Sequence, residues 1–423
     1  MIIKFCYNNE GGTAIIALEG IKVLDFSQAY SAPLCGQMLG DMGADVIKIE
    51  RLQGEAIRHG RAAGMDDLAN EGEEESDAAI FLAINRSKKS LAMDIREDEG
   101  REIALKLAKD ADVIIENFRP GVIDRLGLGY ERISEINPQV IYATLTGWGD
   151  KGPLAHRIGG DMWSQAMGGV VSRQGSVNGP PSISSVSFVD QGTAVIMAFG
   201  IMVALFVRQR SGIGQHMSTN LLHGVLHMQS TEVSEYLIDN MLVTKVGRGL
   251  PPHVVAPPAG VYTAKDGDVV TIFGAGKQWP IFCKLLGLEH LEKDPRFAND
   301  KKRIEHREEL YPLLDKAFTK KTRADWQQLF KKERLRCDPC LNYQELFAHS
   351  QVEANEMVTT LEHPVRGSIK VVNMPVQLSK TPAKPHVPPP LIGEHSREIL
   401  LELGYTEQQI DDLVVRGIIK ISA

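Results

Sequence analysis

Five cysteines in 423 residues, Cys6, Cys35, Cys283, Cys337 and Cys340, are too few for a disulfide framework and fit a reducing compartment such as the cytoplasm. Cys337 and Cys340 form a lone CxxC with no second ligand pair at a spacing zinc could use, so they read as structural. No charged N-terminal region leads into a long apolar run, so no secretory signal is read, and residues 1–17 read as an extension outside the core. The apolar run from Thr193 to Val207 falls short of the ~20 residues a bilayer span requires and reads as a buried core helix. The net charge of −7 argues against general affinity for nucleic acid or an anionic membrane, so an anionic ligand needs a local basic pocket. No internal repeat is visible. What is present is ordinary for a globular protein, 43% apolar and 24% charged, with length enough for two domains.

Residues 21–26 read as a strand, 31–42 as a helix capped by Gly43, and 45–50 as a second strand, which together make a parallel βαβ unit. A polar stretch, 52–79, reads as a loop. Alternation then resumes: strand 90–95, helix 97–111, strand 112–116, helix 122–137, strand 140–146. This is the pattern of a doubly wound, Rossmann-like α/β domain. Helices at 159–169 and 192–210 and a strand-helix unit at 216–238 follow. A hairpin at 261–273 and a charged helical region at 277–336 suggest a smaller α+β domain. A strand-rich return, 368–378, leads to a closing helix at 395–403. The expected division is an extension (1–17), a large domain (18–240), a linker (241–258), a small domain (259–360) and a return to the large domain (361–423).

Gly147-Trp148-Gly149-Asp150-Lys151-Gly152 matches a dinucleotide-binding spacing, but Pro153 follows, no helix opens, and the first strand-to-helix turn has no glycine. A nicotinamide site is therefore not expected. Basic residues gather at strand ends and loops: Arg51, Lys88, Lys89, Arg119 and Arg125. Ligands of open parallel sheets collect at the carboxyl ends of strands, and cations there suit a phosphorylated ligand, although each alone also reads as a solvated charge. Gly274-Ala275-Gly276-Lys277-Gln278 reads either as a loop admitting close approach of a ligand or as a plain turn. Asp190 stands just before the apolar helix. A carboxylate there is favoured by the dipole and by unpaired N–H groups, tends to stay ionised, and reads either as a cap or as a nucleophile.

The segments LEGIKVLDF (18–26), GADVIKIE (43–50), ENFRPG (116–121) with DRLG (124–127), TGWG (146–149), and the stretch from Gly393 to Tyr405 together resemble the class III CoA-transferase family. That family includes formyl-CoA and carnitine CoA-transferases and α-methylacyl-CoA racemases. The resemblance implies that Asp190 is the covalent nucleophile. Its carboxylate would attack an acyl-CoA to give a mixed anhydride, then carry CoA as an aspartyl thioester before passing it to an acceptor acid. It implies that the loop of Gly274, Ala275 and Gly276 closes over that intermediate. Gln28, Ala29, Tyr30, Arg51, Lys88, Asn117, Phe118, Arg125 and Leu126 match CoA-binding positions. Thr146 stands where some transferases carry a lysine, and Ala275 and Lys277 depart from the family's glycine loop. Racemases use a histidine-aspartate pair where this chain has Gly160-Asp161, which favours the transferase and leaves Asp161 as a cap for the helix that follows it. The resemblance also implies coenzyme A or acyl-CoA as substrate, a small carboxylic acid as co-substrate, no tightly bound cofactor, and an interlocked homodimer. An α-methylacyl-CoA epimerase and a CoA-binding regulatory protein are the alternatives.

Overall fold

The computed structural model describes residues 16–60, 77–176, 179–242, 245, 256–271, 278–383 and 387–422. They fall into two units: one takes the chain up to residue 164, then 186–228 and 353 onward, and the other takes 165–185 and 229–352. Residues 165–185 and 229–240, expected in the large domain, thus belong with the second unit. Side chains tie them together: the Gln165 amide oxygen accepts from the Ser184 N–H at 2.9 Å, and the Gln229 amide donates to the Gly168 carbonyl. Residues 353–360 join the first unit, where strand Val358–His363 pairs antiparallel with Gly367–Val372. Most of the expected linker, 241–258, lies outside the described residues.

In the first unit the apolar runs become strands β1 (Lys22–Asp25), β2 (Asp45–Glu50), β3 (Lys89–Met93), β4 (Val113–Glu116), β5 (Ile141–Thr146) and β6 (Gln215–Asn220). Their order is β3-β2-β1-β4-β5-β6, all parallel, with Ile419–Lys420 added antiparallel at the β3 edge. That is the order of the doubly wound dinucleotide-binding sheet, in which direction reverses between the first and fourth strands. Central strands covered on both faces need continuous apolar sequence, and every residue of β4 is buried. Leu24 of β1 lies in register with Ile47 of β2 and Ile114 of β4. The closing helix Ser396–Glu402 and the further helix Glu407–Val415 set Ile399, Leu400, Ile410 and Leu413 into the same core.

Two helices differ from expectation. The stretch 122–137 divides into Val122–Arg125 and Tyr130–Ile136, because Gly127 between them takes a φ of +73° that ends a right-handed turn. The long helix begins earlier than its apolar run, spanning Phe188–Ser211, so Asp190 is inside it. It is the one helix among the described residues long and apolar enough to cross a bilayer, yet Val189, Thr193, Ala194, Met197, Ile201, Ala204 and Leu205 are buried.

The second unit carries a three-stranded antiparallel sheet, Gly260–Ala264, Gly267–Thr271 and Cys337–Pro339. Its core is aromatic: Tyr262 stacks on Phe318 at 4.3 Å, and Phe318 meets Trp326 at 5.1 Å.

Charges lie beneath the ends of β1 and β2. Lys88, fully buried, donates to Asp25 at 2.8 Å, the Pro33 carbonyl at 2.7 Å and Asn85 Oδ1 at 2.9 Å, which satisfies all three ammonium protons. Burial alone would raise the Asp25 carboxyl, but Lys88 and Lys48 outweigh it and hold it below the usual range. Beside them Lys48 meets Glu55 at 2.8 Å, and Arg58 pairs with Glu50 at 2.7 Å. Lys88→Met leaves Asp25 buried without its cation and lowers stability by about 3–5 kcal/mol in urea unfolding. The deficit is largest above neutral pH and shrinks in acid, where the orphaned carboxyl takes up a proton.

Candidate active site

The site grows from the turns that leave β1, β2 and β4. After β1 the Phe26 N–H still bonds the Ile115 carbonyl at 2.8 Å, and then the chain parts from the sheet. Gln28 is caught in both directions by Asn117: its N–H donates to Asn117 Oδ1 at 2.9 Å, and its carbonyl accepts from Asn117 Nδ2 at 2.7 Å. One side chain thereby locks the loop after β4 to the loop after β1, at the sheet's switch point. Ala29 has a φ of +66°, the left-handed region where a residue with a Cβ is rarely found. Glu55 accepts the Ala29 N–H at 2.6 Å and holds that turn. The turn delivers Tyr30 and opens the helix Ser31–Asp41.

The CoA-matching residues separate into groups. Gln28 and the exposed Arg51 line one small cleft with Ser27, Lys48, Ile49, Glu50 and Glu55. Phe118 and Leu126 are half-buried against the main core, and Arg125 is exposed beside Gly121. The Phe118 N–H bonds Glu116 at 2.9 Å, and burial pushes the Glu116 carboxyl up to about 7. Lys88 does not fit its expected role, because its ammonium is enclosed by Asp25, Pro33 and Asn85 and has no proton left for a phosphate. Gly274, Ala275, Gly276 and Lys277 lie outside the described residues.

Asp190 is the third residue of its helix rather than a cap before it. The capping is done from elsewhere: Asp161 Oδ2 accepts the N–H of Val189 at 2.8 Å and of Asp190 at 3.0 Å. Asp161, expected to cap the helix that follows it, thus caps the start of the long helix. It opens the segment Asp161–Met167 and turns its carboxylate to the long helix. The Asp190 side chain accepts a hydrogen bond from the Ser31 hydroxyl, Oγ to Oδ1, at 2.6 Å. Next to it, Gln191 Nε2 donates to the Tyr30 hydroxyl at 3.2 Å. The helix terminus does not make this carboxyl unusually acidic. Burial raises it to about 6, the Ser31 bond opposes the rise, and Asp161 adds to it. At neutral pH it is still mostly ionised, and its partial desolvation strengthens it as a nucleophile.

Ser31, Asp161 and Glu55 are the contributors that sequence reasoning missed as site residues. Ser31 carries no motif of its own, and its tie to Asp190 spans 159 positions. The glycines of the TGWG segment, which also begin the dismissed dinucleotide-binding spacing, have a structural account. A Cβ on Gly147 would lie 2.5 Å from the Gly159 Cα, so these glycines admit two backbones in contact. The Thr146 hydroxyl accepts the Gly149 N–H at 2.9 Å, and the Trp148 indole donates to the Ile158 carbonyl at 3.2 Å.

This arrangement, a part-buried aspartate held at a helix terminus beside loops from the switch point of a parallel sheet, occurs in a chain with clear relatives. It is 36% identical to an acyl-CoA transferase of Fusarium pseudograminearum, over 95% of this chain and 88% of that one. It is 34% identical to the succinyl-CoA:glutarate CoA-transferase of Mus musculus, over 95% of this chain and 90% of that one. The crystal structure of a CaiB/BaiF family protein from Brucella suis superposes with a TM-score of 0.81 at 32% identity, covering 91% of this chain and 98% of that one. With the model of CoA-transferase family III matching residues 18–396, the chain belongs to that family.

Proposed function

We propose that this protein moves CoA from an acyl-CoA to a carboxylic acid acceptor, with Asp190 as the covalent nucleophile. The observation that carries the reading is the Asp190 carboxylate itself. Its backbone is fixed by Asp161, one oxygen is held by Ser31, and its pKa is set by burial at about 6. A nucleophile of that basicity is ionised at neutral pH yet leaves readily from an anhydride. Attack on the thioester carbonyl expels CoA thiolate and forms the anhydride. Thiolate return gives the aspartyl thioester and frees the donor acid. The acceptor carboxylate then displaces the thiolate, which finally takes the new acyl group. Every step exchanges one anion for another, so no external acid or base is required. The name of the mouse relative, a succinyl-CoA:glutarate enzyme, supports dicarboxylic acids as the substrate class. Gln28, Arg51 and Arg125 are our candidates for the CoA side of the site, and the segment 274–276 for the loop that covers the intermediate.

We further propose a homodimer joined through the long helix. Opposite its buried face, Val195, Phe199, Met202, Val203 and Phe206 form an exposed apolar stripe, with Phe199 at 70% and Phe206 at 58% exposure. Their spacing follows one face of a helix, and a stripe of this kind marks an interface with another chain. A second copy presents the same stripe and can bury it by two-fold pairing.

Three outcomes are expected. Acyl-CoA without acceptor leaves a hydroxylamine- and borohydride-trappable adduct on the peptide carrying Asp190, and Asp190→Ala abolishes it and lowers exchange by about 10³-fold or more. An adduct elsewhere, or an active Asp190→Ala enzyme, refutes the mechanism. Because a protonated carboxyl cannot attack, kcat/KM for the acyl donor rises with pH through an inflection near 6 and then levels off. Phe199→Glu combined with Phe206→Glu converts the dimer to monomer in sedimentation velocity, and an unchanged dimer rules out this face.

A further inference from the structure

Resting on the reading of Asp190 as nucleophile, we propose that Ser31 is a catalytic residue, the hydrogen-bond donor that stabilises the oxyanion formed on Asp190 itself. Two of the proposed steps attack the carbonyl carbon of the enzyme's own side chain. In the first, CoA thiolate adds to Cγ of the mixed anhydride: the C–S bond forms and the carbonyl electron pair moves onto Oδ1. Collapse of that intermediate breaks the bond from Cγ to the bridging oxygen and expels the donor carboxylate. In the second, an oxygen of the acceptor carboxylate adds to Cγ of the aspartyl thioester, the pair again moves onto Oδ1, and thiolate leaves. In both, the oxygen that is never part of the broken bond gathers the negative charge. Ser31 Oγ is 2.6 Å from that oxygen and keeps its proton throughout.

Its placement suits the task. Ser31 is the first residue of the helix Ser31–Asp41 and is buried, with 3% exposure, so the hydroxyl is not diluted by water. The Asp190 carboxylate thus meets the positive ends of two helices, its own and the one Ser31 opens. The turn that presents Ser31 is fixed from behind by Glu55 on Ala29 and by Asn117 on Gln28, so the donor is in position before charge develops. Neither of those two residues touches the nucleophile.

The steps at Cγ can be told apart from the initial attack on the substrate. In the wild-type enzyme incubated with acyl-CoA alone, CoA thiolate released by the first attack is recaptured on Cγ, so donor acid and aspartyl-CoA thioester appear together with little free thiol. In Ser31→Ala, donor-acid release is expected to fall by about 10²–10³-fold, as for loss of one oxyanion donor. A burst of up to one equivalent of free thiol per site then precedes it. Ser31→Thr, which keeps the hydroxyl, retains the wild-type order. Loss of the bond also moves the acid inflection of kcat/KM upward in Ser31→Ala, because the hydroxyl favours the ionised carboxyl. Equal slowing of thiol and acid release in Ser31→Ala, or a Ser31→Thr enzyme that behaves as Ser31→Ala does, overturns the assignment. Absence of any adduct on Asp190 in the wild-type enzyme instead defeats the reading on which it rests.

Discussion

Asp161 commits one carboxylate oxygen to two backbone N–H groups of the long helix, and the position of Asp190 follows from that bond. The first N–H groups of a helix have no partner within it, and a side chain just upstream usually supplies one. Here Ser187 makes no side-chain cap. The partner arrives from a distant segment, so the start of the helix is fixed by tertiary structure, and Asp190 falls on its first turn instead of ahead of it. A carboxylate in that turn can reach sideways to the start of another helix, where Ser31 meets it.

The electrostatics of this region divide by depth. Lys88, Lys48 and Arg58 are interior cations matched to Asp25, Glu55 and Glu50, and they hold the ends of β1 and β2 in place. Arg51 and Arg125, in contrast, are exposed. Two carboxyls, Glu116 at the end of β4 and Asp190 in the first turn of the long helix, lack such a cation among their main influences, and burial lifts both toward neutrality. A net-acidic chain can thus carry exposed cations on the loops after its strands while burial, not a neighbouring cation, dominates the Asp190 carboxyl.

Much of the fold was legible because its signals are local. Apolar runs separated by amphipathic stretches marked β1 to β5, and β2 falls on residues 45–50 as expected. The family resemblance drew attention to Asp190, whose role as nucleophile is a proposal. What escaped notice depended on contacts between distant residues. Lys88 precedes a strand and looks like a surface charge in one dimension, and only the fold places Asp25 opposite it. The strand Ile419–Lys420 is too short to carry a pattern and exists because β3 offers it an edge. The helix Glu407–Val415 did carry a readable signal, the capping box of Thr406 and Gln409. Ser31 could not have been found, since nothing in its neighbourhood refers to residue 190.

The contact between Gly147 and Gly159 limits how this protein can vary. Where a new side chain strikes another side chain, a second substitution elsewhere can shrink the obstacle and restore the fold. At Gly147 the obstacle is the Gly159 backbone, and at Gly159 it is the Gly147 backbone. A backbone cannot be made smaller, so neither position has an intragenic suppressor at the other. The segment that carries Trp148 therefore changes its chemistry only through residues beside this junction.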